Sequence, residues 1–403
     1  MSIIITGCSG PAGIPAPKIN EDKKFYYDEG AHFEIGTEFW SVHGFLNYVN
    51  EDAGKDPMVF TAQFHRAGNS FMHARSGYNS IRLSDGSYDY SSFGMGIFMG
   101  VIKDLLRMKI EKYPEAEYLK YILNEFEAGN YTKYIRLTDG EYDLYRTYLY
   151  INYGANRFER VSESEFKYEL DLNTSLGKLN LKMNAETDPM LYTADNIMYV
   201  TLQSQNRDED AGKFQGYAFP FVKVSGMMNT EDGEKAVEGI AWFEHWWGNP
   251  EGPAMENRTS VYQRTSDGGA FMVNEFRSKD GKLKNSYLHI IRPDGSVEKS
   301  EQIELEPVSS WKSPVSLTEY NSGWKVAGDN PVSGIISIDK KYQNSEIMLE
   351  EGIGNFWLGP CSFSGKVEKG ILKKKLDGEG FCRVISTVNV DVSDVELPEV
   401  PGK

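Results

Sequence analysis

Gly239-Ile240-Ala241-Trp242-Phe243-Glu244-His245-Trp246-Trp247-Gly248 gathers three of the chain's seven tryptophans into ten residues, with a phenylalanine, a carboxylic acid and an imidazole among them. On a β-strand the side chains alternate, so Trp242, Glu244 and Trp246 would share one face and Phe243, His245 and Trp247 the other. Glu244 and His245 then cannot both enter one cavity without a bulge. The pattern alone leaves open which of the two borders a pocket. Such an aromatic wall can hold an apolar ligand, and desolvation among indoles raises the pKa of a carboxyl group. A neutral Glu244 there would suit protonation of a carbon–carbon double bond.

Working outward, short runs rich in aromatic and β-branched residues recur from about residue 31, each bounded by Gly, Asn, Asp or Pro. His32-Phe33-Glu34-Ile35, Phe39-Trp40-Ser41-Val42-His43 and Met58 to His65 are examples, and they read as strands. Asp139-Gly140, Asp232-Gly233, Asp267-Gly268, Asp280-Gly281, Asp294-Gly295 and Asp377-Gly378 supply the positive-φ positions that tight hairpins need. One segment departs from this rhythm. Ile97, Val101, Ile102, Leu105, Leu106 and Met108, and after Pro114 the set Leu119, Ile122, Leu123 and Phe126, recur at roughly three and four residues. That spacing predicts two helices within about 95–127, packed on a sheet or lying over a pocket mouth.

The prolines of Asn249-Pro250-Glu251-Gly252-Pro253 disfavour a continuing central strand, and the domain boundary is placed there. The chain therefore divides into an irregular segment 1–30, a first lobe 31–248 containing the helical insertion, a second lobe 254–391 and an irregular tail 392–403. With 403 residues, two domains are the natural reading.

Lys and Arg total 43 against 59 Asp and Glu, a formal charge of −16, which argues against a nucleic-acid partner. Lys373-Lys374-Lys375 reads as a solvated strand end. No run of 18 apolar residues predicts a membrane span, and the N-terminus lacks the basic region of a signal peptide. Three cysteines, Cys8, Cys361 and Cys382, exclude an extensive disulfide framework. Cys361 and Cys382 can sit on neighbouring strands, but reduced, buried thiols are expected, and with them a cytoplasmic location.

These residues resemble the carotenoid 1,2-hydratase (hydroxyneurosporene synthase) and AttH-like family. That family is marked by Gly-x-Ala-Trp-x-Asp-His-x-Trp-Gly, which reads here Gly239 to Gly248. Tyr217 to Gly226, then Gly233 and Val237, are similar to the approach to that motif, and Glu38-Phe39-Trp40-Ser41-Val42-His43-Gly44 is similar to the family's Glu-Trp-Trp-Tyr-x-x-Gly opening. Later, Trp311-Lys312-Ser313, Trp324-Lys325-Val326, Phe356-Trp357-Leu358-Gly359 and Gly378-Glu379-Gly380-Phe381 follow in the family's order, so the likeness spans about 31–385. Glu244 stands where Asp is usual, and Leu358 where Glu is common. The resemblance implies a mainly β fold of two lipocalin-like antiparallel β-barrel lobes side by side, and it requires no cofactor. It extends to fungal Diels–Alderases, whose chemistry is cyclisation, so fold follows from it more safely than reaction.

The functional expectation is an enzyme acting on an apolar polyene- or isoprenoid-like small molecule by acid-assisted hydration, isomerisation or cyclisation. Glu244 would be the proton donor, with His245 beside it as a second catalytic candidate. Trp40, Trp242, Trp246, Trp247 and Trp357 would contribute aromatic surface, and the indoles beside Glu244 could stabilise developing positive charge by roughly 1–2 kcal/mol each. His43, His65, Arg66 and His245 are candidates to position water or a polar head group. Plainer readings stand beside these: a structural Glu244 carboxylate held by hydroxyls or amides, and a hydrogen-bonded His245 at the lobe interface. A metal held by His43, His65 and His245 has no ligand signature behind it, and no phosphate-binding loop, dinucleotide fingerprint or nucleophile elbow is present. The alternatives are a pericyclase that shapes a linear polyene and a lipid or pigment carrier without turnover, as a monomer or homodimer.

Overall fold

The computed structural model describes residues 29–50, 56–68, 73–94, 136–137, 142–192, 198–199, 213–249 and 257–277. It also describes 283–385 apart from 302, 315–317, 329, 349–354 and 370–371, and isolated positions between 103 and 128. Two sheets account for this material. The first opens with β1 (Thr37–Tyr48), β2 (Met58–Gly68), β3 (His73–Arg82), β4 (Tyr88–Gly94) and β5 (Arg136–Leu137). It continues through β6 (Tyr142–Leu144), β7 (Tyr150–Tyr153), β8 (Asn156–Arg160), β9 (Lys167–Thr174) and β10 (Gly177–Ala185). The short β11 (Met190–Leu191) and β12 (Met198–Tyr199) precede the long hairpin of β13 (Lys213–Thr230) and β14 (Gly233–Asn249). Its strand order is β5-β4-β3-β2-β1-β14-β13-β10-β9-β8-β7-β6, with β11 and β12 added along β13. Pairing is antiparallel except between β4 and β5.

The second sheet comprises β15 (Asn257–Thr265), β16 (Ala270–Arg277), β17 (Leu283–Ile291), β18 (Val297–Ser300) and β19 (Glu304–Lys312). β20 (Glu319–Ala327), β21 (Val332–Ser337), β22 (Glu346–Met348), β23 (Asn355–Lys369) and β24 (Leu372–Ile385) complete it. Its order is β18-β17-β16-β15-β24-β23-β21-β20-β19, with β22 beside β23.

Both sheets curl around their own side chains. In the first, Phe64 of β2 stacks 6.1 Å from Phe158 of β8, and the Asn79 amide of β3 donates to Asn156 Oδ1 at 2.8 Å, although these strands are far apart in sheet order. In the second, Arg277 of β16 donates to Glu304 of β19 at 3.2 Å. Two curled, mainly antiparallel half-barrels therefore stand side by side. The first ends at Asn249 and the second begins at Asn257; residues 250–253, where the boundary was expected, lie outside the described residues.

Turn chemistry is as the Asp-Gly pairs suggested at Gly233, Gly268 and Gly295, with φ of 111°, 88° and 82°. Asp377-Gly378 differs: it runs inside β24, where Gly378 pairs with Phe363 and Thr265. His32 to Ile35 forms a turn rather than a strand, closed by the Ile35 N–H on His32 O. Most of the expected helical pair at 95–127 lies outside the described residues. Lys103, Arg107, Lys120, Leu123 and Glu127 have helical backbone, yet the described residues form no α-helical element there, so the two-helix insertion is not established. The segments 1–28 and 386–403 also lie outside them. Cys361 of β23 and Cys382 of β24 are disulfide-bonded, contrary to the reduced thiols expected, which removes that argument for a reducing compartment. No helix among the described residues is long and apolar enough to cross a membrane.

Candidate active site between the lobes

β14 lies between β1 and β13 in the first sheet, with Trp242, Glu244 and His245 opposite His43, Ser41 and Trp40 of β1. The alternation read from the sequence holds. Phe39 and Phe45 of β1 and Trp242 and Trp246 of β14 pack into one apolar cluster with residues of the second lobe. Trp40, Val42, Phe243 and Trp247 pack inside the first lobe instead. Glu244 and His245 thus project to opposite sides of one strand, each into its own polar network.

On the interlobe side Glu244 is fully buried. Its Oε2 accepts from the Tyr192 hydroxyl at 2.9 Å and Trp246 Nε1 at 3.0 Å, and its Oε1 accepts from the Tyr262 hydroxyl of the second lobe at 3.0 Å. Arg383 Nη1 stands 3.8 Å and His43 Nε2 3.9 Å from Oε1. Tyr192 reaches this position over Gly216, where a Cβ would fall 2.9 Å from its ring. β15 and β24 supply the opposing wall. Tyr262 pairs with Phe381 and Ser260 with Arg383, and the rings of Tyr262 and Phe381 lie 5.6 and 5.8 Å from that of His43. The Arg258 guanidinium sits 4.1 Å over the Trp246 ring and donates to Asn274 Oδ1 at 2.9 Å. Arg383 Nη2 donates to Ser41 Oγ at 3.4 Å and Tyr78 Oη at 3.3 Å.

Burial alone would raise the Glu244 pKa, as the sequence suggested. His43, Arg383 and Arg258 together outweigh burial and hold it at about 2. His43 Nε2, at 3.9 Å, is beyond hydrogen-bond reach, so the direction stands on the charges of Arg383 and Arg258. The direction is thus opposite to the raised pKa read from the sequence, and it favours the carboxylate at neutral pH. Burial, with the charges of Arg383 and Arg258, lowers His43 below its ordinary 6.5 against the opposing pull of the Glu244 carboxylate, and the net shift favours a neutral imidazole. Both of its ring nitrogens are buried without a hydrogen-bond partner.

On the other side, within the first lobe, Glu38 organises a separate network. Its Oε1 is 2.7 Å from His32 Nδ1 and 2.8 Å from His245 Nε2, and its Oε2 accepts from the His32 N–H at 2.9 Å and Arg66 Nε at 3.1 Å. His245 Nδ1 is 3.1 Å from the Tyr217 hydroxyl, and its ring stacks on Trp40 at 4.7 Å. Trp247 stacks on His32 at 4.4 Å. His32, Glu38 and His245 have the composition of a metal site, with ligand atoms within 4.8 Å of one another. Both Glu38 oxygens are already committed to four donors, however, and one of those, Arg66, repels a cation. His43, His65 and His245 do not converge, because His245 faces away from His43.

Of the residues singled out from sequence, the structure brings together His43, Trp242, Glu244 and Trp246 between the lobes. Trp40, Arg66, His245 and Trp247 gather around Glu38. His65 lies on the β1–β2 face beside Phe39, 3.0 Å from Thr37 Oγ1, and burial lowers its pKa to about 4. Trp357 is buried in the second lobe, donating to Tyr342 O at 3.1 Å. Sequence reasoning missed Tyr192, Arg258, Tyr262 and Arg383. A lone charge inside Gly380-Phe381-Cys382-Arg383-Val384-Ile385 was a usable signal, as was the alternation of Arg258, Ser260 and Tyr262.

The fold is similar to a chain from Nitrosomonas europaea assigned to AttH, with a TM-score of 0.66 at 16% identity over 93% of this chain and 100% of that one. It is similar to kievitone hydratase from Nectria haematococca, with a TM-score of 0.61 at 14% identity over 94% of this chain and 97% of that one. CghA is similar more loosely, with a TM-score of 0.48 at 10% identity over 94% and 96% of the two chains. Curated protein sequences give no significant match. The model of the AttH-like family matches residues 131–384, more than half of the sequence, and the chain belongs to that family.

Proposed function

We propose that the chain is a cofactor-independent enzyme of lyase or isomerase type. It hydrates, isomerises or cyclises an apolar polyene- or isoprenoid-like small molecule held between the lobes, at the cluster around His43 and Glu244. The observation that carries this reading is His43: a buried neutral imidazole with two unpartnered nitrogens, beside a carboxylate and two guanidiniums. A neutral imidazole can take a proton and return it, which is the requirement for general acid–base catalysis. The hydratase activity named for a protein of similar fold supports the same class of reaction.

In hydration of a double bond conjugated to a carbonyl oxygen, His43 would accept a proton from water as the water oxygen bonds to one carbon and the displaced electron pair moves toward that carbonyl oxygen. The imidazolium would then deliver that proton to the neighbouring carbon, so that one water is added and the imidazole is regenerated. Glu244, 3.9 Å away, stabilises the imidazolium by its charge. Trp242 and Trp246 line the apolar part of the site. His245 takes a supporting role in this scheme, tying β14 to β1 through Glu38.

The test is incubation of the purified protein with kievitone and with a panel of linear polyenes in oxygen-18 water, followed by mass spectrometry. A product heavier by one labelled water is expected for hydration, and a product of unchanged mass but new retention for isomerisation or cyclisation. Bound ligand recovered unaltered across the panel would contradict catalysis and favour a carrier.

A further inference from the structure

The unpartnered polar atoms around Glu244 are unequal in kind. Apart from the two ring nitrogens of His43, one a donor and one an acceptor in the neutral ring, Arg258 Nε and Nη1, Arg383 Nε, Trp242 Nε1 and Asn274 Nδ2 are buried without a partner, and these five are all donors. Asn274 is fixed in that orientation, because its Oδ1 accepts from both Arg258 and Ser260. Each of these side chains is almost wholly buried. The charges are unequal too. Two guanidiniums share one carboxylate, and His43 and the tyrosines beside them are neutral. Among the described residues the cluster therefore carries one uncompensated positive charge. Such a charge is costly out of water unless an anion compensates it, and unpaired guanidinium donors match carboxylate or enolate oxygens.

We propose that the substrate is an acidic molecule, with a carboxylate or enolisable oxygen that docks on Arg258 and Arg383 and an apolar body that lies against Trp242 and Trp246. The inference rests on the proposed reaction site and adds to it the chemistry of the head group. It also favours double bonds conjugated to that oxygen, since negative charge developing there on addition of water would be stabilised where it forms. Long-range attraction does not account for anion binding here, because the chain as a whole carries −16.

The test is calorimetric titration of the full chain with 2-naphthoate and with its neutral counterpart 2-naphthylmethanol, in wild type, Arg258→Met and Glu244→Gln. Naphthoate should bind roughly tenfold or more tightly than the alcohol in wild type, the scale of one charge-assisted hydrogen bond. Arg258→Met should abolish the preference, while Glu244→Gln, which removes the competing negative charge, should raise the ratio of naphthoate to alcohol affinity above that of wild type. The second variant decides the matter by its sign if the first fails to fold. Equal affinities, tighter binding of the alcohol, or no binding of naphthoate would overturn the inference. Turnover that depends on His43 but comes without any preference for naphthoate removes the acidic head group alone. Turnover indifferent to His43→Leu removes the reaction site itself.

Discussion

The hydroxyl of Tyr262, on the first strand of the second lobe, donates at 3.0 Å to Glu244, on the last strand of the first. This is a charge-assisted hydrogen bond across the lobe interface, made where both side chains are fully buried. Tyr262→Phe removes the donor and leaves Glu244 Oε1 with only its longer contacts to Arg383 and His43. The expected cost is about 1.5–3 kcal/mol, the range for hydrogen bonds to charged groups, read by urea unfolding against wild type. An unchanged midpoint would mean that the carboxylate does not depend on this bond.

Acid should weaken the fold earlier than carboxylates alone would predict. Burial lowers His43 below 6.5, and lowers His65 to about 4 and His289 to about 3. Below about pH 6.5 the unfolded chain takes up protons that these native imidazoles refuse, so stability is full above that pH and declines as pH falls. Glu244 adds a second loss in the same direction between pH 4.5 and about 2, as its depressed carboxylate is protonated. Thermal unfolding followed from pH 8 to pH 5 should show a flat Tm and then a fall beginning near 6.5. A Tm that rises on acidification contradicts the neutral assignments.

Glu38 should matter for stability more than its neighbour on the other face suggests. Glu38→Gln removes the carboxylate charge that pairs with the buried Arg66 guanidinium and weakens the tie to both His32 and His245. Breaking one side of a buried ion pair typically costs about 3–5 kcal/mol, and chemical denaturation should show a loss of that order.

Thiol titration in denaturant without reductant should find one free cysteine per chain, Cys8, rather than three. Reduction, or Cys361→Ser with Cys382→Ser, opens a loop of sequence separation 21 and should lower the stability of the second lobe by about 3 kcal/mol. Three reactive thiols would contradict the bond.

The fold was largely legible because strand patterns are local: the aromatic run at 239–248, the β1 opening and three Asp-Gly hairpins each carry their own instruction. The two faces of β14 were legible for the same reason, since alternation follows from strand geometry. The ionisation of Glu244 was not. It depends on Arg258 and Arg383, which lie 14 and 139 positions further along the chain and meet the carboxylate only when the second lobe docks. Cys361 and Cys382 illustrate the same limit, because neighbouring strands could be read from spacing but bond formation could not. Glu38 stands out in the sequence only as part of the Glu38-Phe39-Trp40 opening, whereas His32, Arg66 and His245 all converge on it once the turn at 32–35 folds back over β1.

Turnover by His43→Leu, set beside His245→Gln, probes the two sides of the strand most directly. Replacing an imidazole with two unpartnered nitrogens by an apolar side chain should leave the Tm near or above wild type, while product formation falls by roughly a hundredfold or more, the scale of a lost general acid–base. His245→Gln should lower the Tm yet retain turnover per folded molecule. Full activity in His43→Leu, or activity lost only in His245→Gln, would place the chemistry inside the first lobe and contradict an interlobe site.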